Sequence, residues 1–138
     1  MQIIVDGYNV INSWEFFKKK SNLDLEEKRN KLIDILLEFQ SLSETKIVIV
    51  FDGRSVSRKR EYFLGLEIVY SSKKETADTV IEKMVKERDK STKVWIVTSD
   101  RNLRLHTFGN GALSMYTKEL EEKVNTIFKE NNLNLLDR

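Results

Sequence analysis

Four short apolar runs, IIV, IVIVF, LEIVY and VWIV, recur along this chain, and each gives way to polar or acidic residues on its C-terminal side. Runs this short and this rich in Val and Ile suit strands covered on both faces of a parallel sheet better than buried helices. They predict strands over residues 2–5, 46–51, 66–70 and 93–98. Helical periodicities lie between them. Asp24 followed by Glu27 is a capping-box arrangement with Asp in the Ser/Thr role, and Leu25, Leu32, Ile33, Leu36 and Phe39 form the stripe of the helix it opens. Ala77, Val80, Ile81, Met84, Val85 and Arg88 mark a second helix, with Glu75, Asp78 and Glu82 together on a neighbouring face. A third is expected after Thr117 as cap, burying Leu120, Val124, Ile127 and Phe128. Strands alternating with helices define the class as α/β, a three-layer α/β/α sandwich around a mainly parallel sheet.

At 138 residues the chain matches one domain with one core. No internal repeat or Gly/Pro/Ser-rich linker divides residues 1–138, and the tail NNLNLLDR (131–138) is expected to fray or pack loosely. With no cysteine, the chain has no disulfide, zinc-thiolate site or cysteine nucleophile, which favours a reducing cytoplasm. No apolar stretch approaches the roughly 20 residues that span a bilayer, so a soluble protein with no membrane partner is expected.

The acids fall where strands end. Asp6 follows IIV, Asp52 follows IVIVF, Asp100 follows VWIVTS, and Asp78 lies just behind LEIVYSS. Ligands of open parallel sheets bind outside the carboxyl ends of the strands, so these separate segments can converge there. Each acid also has an ordinary role available: Asp52 could shape the FDG turn, and Glu75 and Asp78 could favour a helix N-terminus. Four acids delivered to one edge would repel one another unless a cation stood among them. Magnesium is commonly held by one or two carboxylates with waters and substrate phosphate, and Asp6, Asp78 and Asp100 could supply that. Asn9, beyond a glycine that permits a tight turn, could orient a water or a phosphate with its amide, or simply shape the turn.

The net charge of +2 is too balanced to point to nucleic acid by itself, so the placement of the basic residues decides. Arg54, Arg58, Lys59 and Arg60 follow the second strand, Lys73 and Lys74 precede the acidic helix, and Arg101 and Arg104 follow the fourth strand. All belong to segments expected at the acidic edge. A negative centre ringed by positive charge is the layout of a metal-dependent nuclease. Tyr8, Trp14, Tyr62 and Tyr116 could stack on unpaired bases, although most aromatics of a small domain are core. His106, the single histidine, reads as structural or solvated.

The stretches IIVDGYNVI, EIVYSSKKETADTVIEKMV, VWIVTSD and FGNGALSMYTKELEEKV, in that order, resemble the YacP-like branch of the NYN domain family, within the PIN-like ribonucleases. The resemblance implies a PIN-like sheet, a divalent ion (Mg²⁺ or Mn²⁺) on clustered acids, and endonucleolytic cleavage of RNA. Carried over by motif, Asp6 and Asn9 answer to DGYN, Glu75 and Asp78 to ETAD, Asp100 to TSD, and Asp52 to the acid after the second strand. A link to the ribosome and messenger RNA turnover comes with it. The chain departs from the pattern at Ser114, where an Arg is common, and at Tyr116, where a small polar residue is common. The rivals are an RNA- or ribosome-binding module that retains the acids without turnover, a toxin-type PIN ribonuclease, and a phosphohydrolase of small esters. The last lacks its usual DxD signature, since Gly7 and Tyr8 follow Asp6.

Overall fold

A computed structural model describes residues 1–138. The elements run β1 (Gln2–Asp6), α1 (Gly7–Ser13), α2 (Glu15–Lys18), α3 (Leu25–Ser43), β2 (Lys46–Phe51), β3 (Lys59–Phe63), β4 (Leu66–Tyr70), α4 (Ala77–Glu87), β5 (Val94–Val97), α5 (Arg101–Phe108), β6 (Leu113–Met115) and α6 (Thr117–Glu130), closed by a 3₁₀ turn at Leu135–Asp137.

The strands form one sheet in the order β3-β4-β2-β1-β5-β6, parallel throughout except for β3, which pairs antiparallel with β4. Side chains alternate across the sheet with the two-residue period of a strand. Ile3, Val5, Ile47, Ile49 and Phe51 meet residues of α1, α2, α3 and α6 on one face. Ile4, Val48, Val50, Val69 and Ile96 meet α4 and α5 on the other. The result is the expected three-layer sandwich, buried on both faces as the apolar runs require.

The four strands read from apolar runs are present, and two more are added. β3 escapes that reading because all five of its residues, KREYF, are exposed, leaving no apolar pattern to detect. Its two-residue connection to β4 puts Leu64 (φ 46°) and Gly65 (φ 90°) in left-handed conformations, a hairpin turn without the Asn-Gly pair that would have announced it. β6 is only three residues long.

The Asp24–Glu27 box closes as expected: Glu27 N–H donates to Asp24 at 2.8 Å, and Asp24 N–H donates to the Glu27 carboxylate at 3.1 Å. Several other expectations change. Gly7 opens α1 instead of making a tight turn, and it is glycine because a Cβ there would lie 2.3 Å from the Phe51 ring. Thr117 does not cap α6 but is its first residue, buried, with its carbonyl accepting from Trp14 Nε1 at 2.7 Å. Trp14 is thereby fully buried, so it offers no face to a base. Arg88 lies just past the end of α4, where it donates to the carbonyls of Val85 and Asn110.

The C-terminal tail is also tied down, contrary to the expected fraying. Leu135 is buried, Arg138 pairs with Glu38 at 2.6 Å, and Lys31 Nζ donates to the Arg138 carbonyl at 2.9 Å. A buried acid with no sequence signature, Glu121 on α6, accepts from the amides of Glu15 (3.1 Å) and Phe16 (2.9 Å) and so caps α2 from across the fold. No helix is long and apolar enough to cross a membrane.

Candidate active site

β2 and β4 lie to one side of β1 and β5 and β6 to the other, so the direction of chain winding reverses between β1 and β5. That crevice, at the carboxyl ends of the strands, is where open α/β sheets place ligands. Asp6 ends β1 there, Asp52 follows β2, Asp100 follows β5, and Asp78 projects from the first turn of α4.

The four acids act on one another. Asp6 is buried, and burial, opposed in part by Thr98 and the backbone N–H of Asn9, pushes its carboxyl up to about 6, with Asp52 and Asp100 adding like charge. Asp78 is likewise raised to about 6, first by desolvation, then by Asp6 and by a hydrogen-bonding approach to Asp100. An ordinary aspartate titrates near 4. Both groups therefore resist ionisation in a protein with no cation beside them.

One oxygen of three of these acids is already committed. Asp6 Oδ2 accepts from Thr98 Oγ1 at 3.1 Å. Asp52 Oδ1 accepts from the Ala77 amide at 2.8 Å, anchoring the start of α4. Asp100 Oδ1 accepts from the amides of Asn102 (2.9 Å) and Leu103 (3.3 Å), capping α5. No three acidic or histidine side chains close into a ready-made metal cage. The donors are all carboxylate oxygens, which suit magnesium or manganese completed by water and phosphate rather than zinc.

Asn9 joins this group from α1. Its side-chain oxygen accepts from the Ser99 amide at 2.7 Å, which turns its NH₂ group away from that contact, and no protein acceptor holds it. Glu75 stands apart. Arg58 grips it through two bonds of 2.7 and 3.0 Å, Lys83 lies 3.9 Å away, and its pKa falls to about 2, chiefly through Arg58.

The basic residues are less uniform than their sequence positions suggested. Arg58 is occupied by Glu75, and Arg60 lies 3.9 Å from Glu67. Lys59 sits opposite Tyr70 at the site end of the β3–β4 hairpin. Arg54 lines a cleft beside Asp52 together with Arg29, Tyr8 and Tyr70. Lys73 and Lys74 are exposed after β4, and Arg101 is exposed at the start of α5. Arg104 stacks on Tyr116. Arg29, which donates to the Tyr8 hydroxyl at 2.8 Å, escaped the sequence reading. Its position four residues after Leu25 and three before Leu32 was the available signal: a cation on the apolar side of α3. His106 bridges α5 to Glu82 of α4 at 3.1 Å, away from the acids, as a structural histidine would.

The YacP-like NYN domain family matches residues 3–137. The uncharacterized protein YacP of Bacillus subtilis (strain 168) is 34% identical over 128 residues, covering 91% of this chain and 75% of the relative. The crystal structure of a point mutant of Rae1 (YacP) from Bacillus subtilis superposes with a TM-score of 0.82 at 31% identity, over 95% of this chain and 79% of that one. The crystal structure of Rae1 (YacP) itself gives 0.78 at 30% identity, over 96% and 78%.

Proposed function

The chain belongs to the YacP-like NYN domain family, a PIN-like nuclease family, and on that premise we propose that it is a divalent-metal-dependent endoribonuclease. The observation that carries this reading is the quartet Asp6, Asp52, Asp78 and Asp100 at the switch point, with two of its carboxyls pushed up to about 6 by burial and by their neighbours. Such a site costs stability as it stands and gains from a cation.

In this reading Asp6, Asp78 and Asp100 hold Mg²⁺ or Mn²⁺ directly or through water, and Asp52 lies on the outer side. Glu75 serves the site indirectly, by fixing Arg58 beside α4. The bound ion supplies Lewis acidity and a nucleophilic water near neutral pH. Thr98 orients Asp6, and the Asn9 NH₂ donates to the scissile phosphate or to the attacking water. Arg54, Lys59, Lys73, Lys74 and Arg101 hold neighbouring phosphates, giving affinity without sequence readout. Water attacks phosphorus and the 3′-oxygen leaves, so the ends are 5′-phosphate and 3′-hydroxyl. RNA is the proposed partner, and a place on the ribosome rests on the family resemblance alone.

The test is to incubate wild type and Asp78→Asn with RNA of mixed structure in Mn²⁺, Mg²⁺ or EDTA and to map new ends. Metal-dependent cutting lost in the variant is expected. Intact RNA with either metal, or unchanged cutting by Asp78→Asn, overturns the proposal; RNA that binds but stays whole assigns the fold to a docking module instead.

A further inference from the structure

Beside the acids, between α5 and the β6–α6 junction, lies a cleft of about 440 Å³ whose walls include Ser99, Arg101, Leu105 and Phe108. Its floor is a stacked pair. The guanidinium carbon of Arg104 sits 3.9 Å from the centre of the Tyr116 ring. Arg104 Nε donates to Ser114 Oγ at 3.1 Å, which holds the guanidinium over the ring. Three apolar side chains stay in solvent around it: Tyr116 is 49% exposed, Leu105 56% and Phe108 70%. No acid lines the cleft, and two arginines do.

We propose that this cleft is a stacking subsite for one unpaired nucleobase of the RNA strand, immediately beside the position of the scissile phosphate. The inference rests on the ribonuclease reading and adds a determinant of substrate structure to it. A π-face is common to every base, and aromatic rings and arginine planes are the groups on which proteins stack splayed-out bases. The platform is held before the ligand arrives, because Ser114 fixes Arg104 and α6 fixes Tyr116, so little ordering remains for binding to impose. Ser99 connects the two places. It lines the cleft, its amide holds Asn9, and the next residue is Asp100. A nucleotide seated there presents its phosphate toward the acids. A base inside a duplex has both faces covered and cannot enter, so the subsite selects single-stranded RNA.

Binding of a fluorescein-labelled, unstructured short RNA, followed by anisotropy in Mg²⁺ on an Asp78→Asn background, tests this. Tyr116→Ala is expected to weaken binding about tenfold while leaving the salt dependence unchanged, because stacking releases no counterions. Tyr116→Phe keeps the ring and is expected to bind like its parent. An abasic oligonucleotide of the same length is expected to bind parent and Tyr116→Ala alike. The alanine variant keeps the backbone amide that the Glu119 carboxylate accepts from at 3.1 Å, and circular dichroism verifies its fold. Equal affinity of Tyr116→Ala and its parent for base-bearing RNA overturns the subsite, the outcome expected if the patch docks a protein. An equal loss on the abasic strand overturns it too. Cleavage by the otherwise wild-type chain is scored in parallel. Cutting with no effect of Tyr116 removes the subsite alone, and stacking without any cutting removes the ribonuclease reading alone.

Discussion

The side-chain oxygen of Asn9 accepts a 2.7 Å hydrogen bond from the amide of Ser99, 90 residues along the chain, and so ties the start of α1 to the loop that leaves β5. Replacing Asn9 by Ala leaves the Ser99 amide without its acceptor. The site is partly open to water, so the expected loss of stability is modest, about 1 kcal/mol. The expected loss of cleavage is larger, about tenfold to a hundredfold, because the loop carrying Asp100 loses its tether. Amide exchange at Ser99 and single-turnover cleavage measure the two separately.

Much of this site could be read from the chain and some could not. Asp6, Asp52 and Asp100 were legible because a strand end is marked by an abrupt change from Val and Ile to polar residues, and the parallel topology then brings all such ends to one edge. Asp78 was legible through the helix period. What the sequence did not carry was the pairing between charges. Glu75 and Arg58 are 17 residues apart, and nothing local shows that a hairpin, β3–β4, folds one onto the other. The hairpin itself was invisible because its outer strand buries nothing. Glu121 was invisible for a related reason: a buried carboxylate that caps a distant helix looks, in a list of residues, like any surface glutamate.

Asp78→Asn is expected to lower metal-dependent cleavage by more than about a hundredfold, since loss of a direct contact exceeds the usual effect of its supporting partners. Calorimetric titration with Mn²⁺ checks that the loss follows metal affinity.

Metal-free protein is expected to lose stability as the pH rises from about 4 to 6. Asp6 and Asp78 hold their protons more tightly in the fold than in the unfolded chain, with carboxyls pushed up to about 6 from the ordinary 3.8, so their contribution is complete below about 4 and disappears as the pH passes 6. Asp6→Asn removes the largest part of that slope. For this buried group the ceiling is about 3 kcal/mol at neutral pH. Urea unfolding in EDTA at several pH values reads it directly; a wild-type stability that is flat across this window refutes it.

Arg101→Ala is expected to reduce the salt dependence of RNA binding by about one phosphate contact, a slope change of about 0.7 for a single strand. Arg58→Ala is expected to change it much less, because Glu75 already neutralises that guanidinium at 2.7 Å. Anisotropy titrations across a salt series distinguish the two.

Glu121→Ala should cost about 2 kcal/mol and several degrees in Tm, by stripping two amides of their acceptor at the start of α2. Metal affinity is expected to stay unchanged, since Glu121 lies among the helices on one face of the sheet and not at its carboxyl edge.

The one-oxygen commitments of Asp6, Asp52 and Asp100 have a consequence for which ions such a site can serve. With Oδ2 of Asp6 on Thr98, Oδ1 of Asp52 on Ala77 and Oδ1 of Asp100 on two helix amides, each of these three carboxylates most readily offers a cation its other oxygen, and two-toothed binding would compete with a hydrogen bond already made. A small octahedral ion that keeps most of its water is content with two or three such oxygens. Calcium, which takes six to eight and favours two-toothed carboxylates, would have Asp78 alone to grip that way without displacing one of those bonds. In the proposed nuclease it would therefore be a poor resident, admitted only at high concentration and easily displaced.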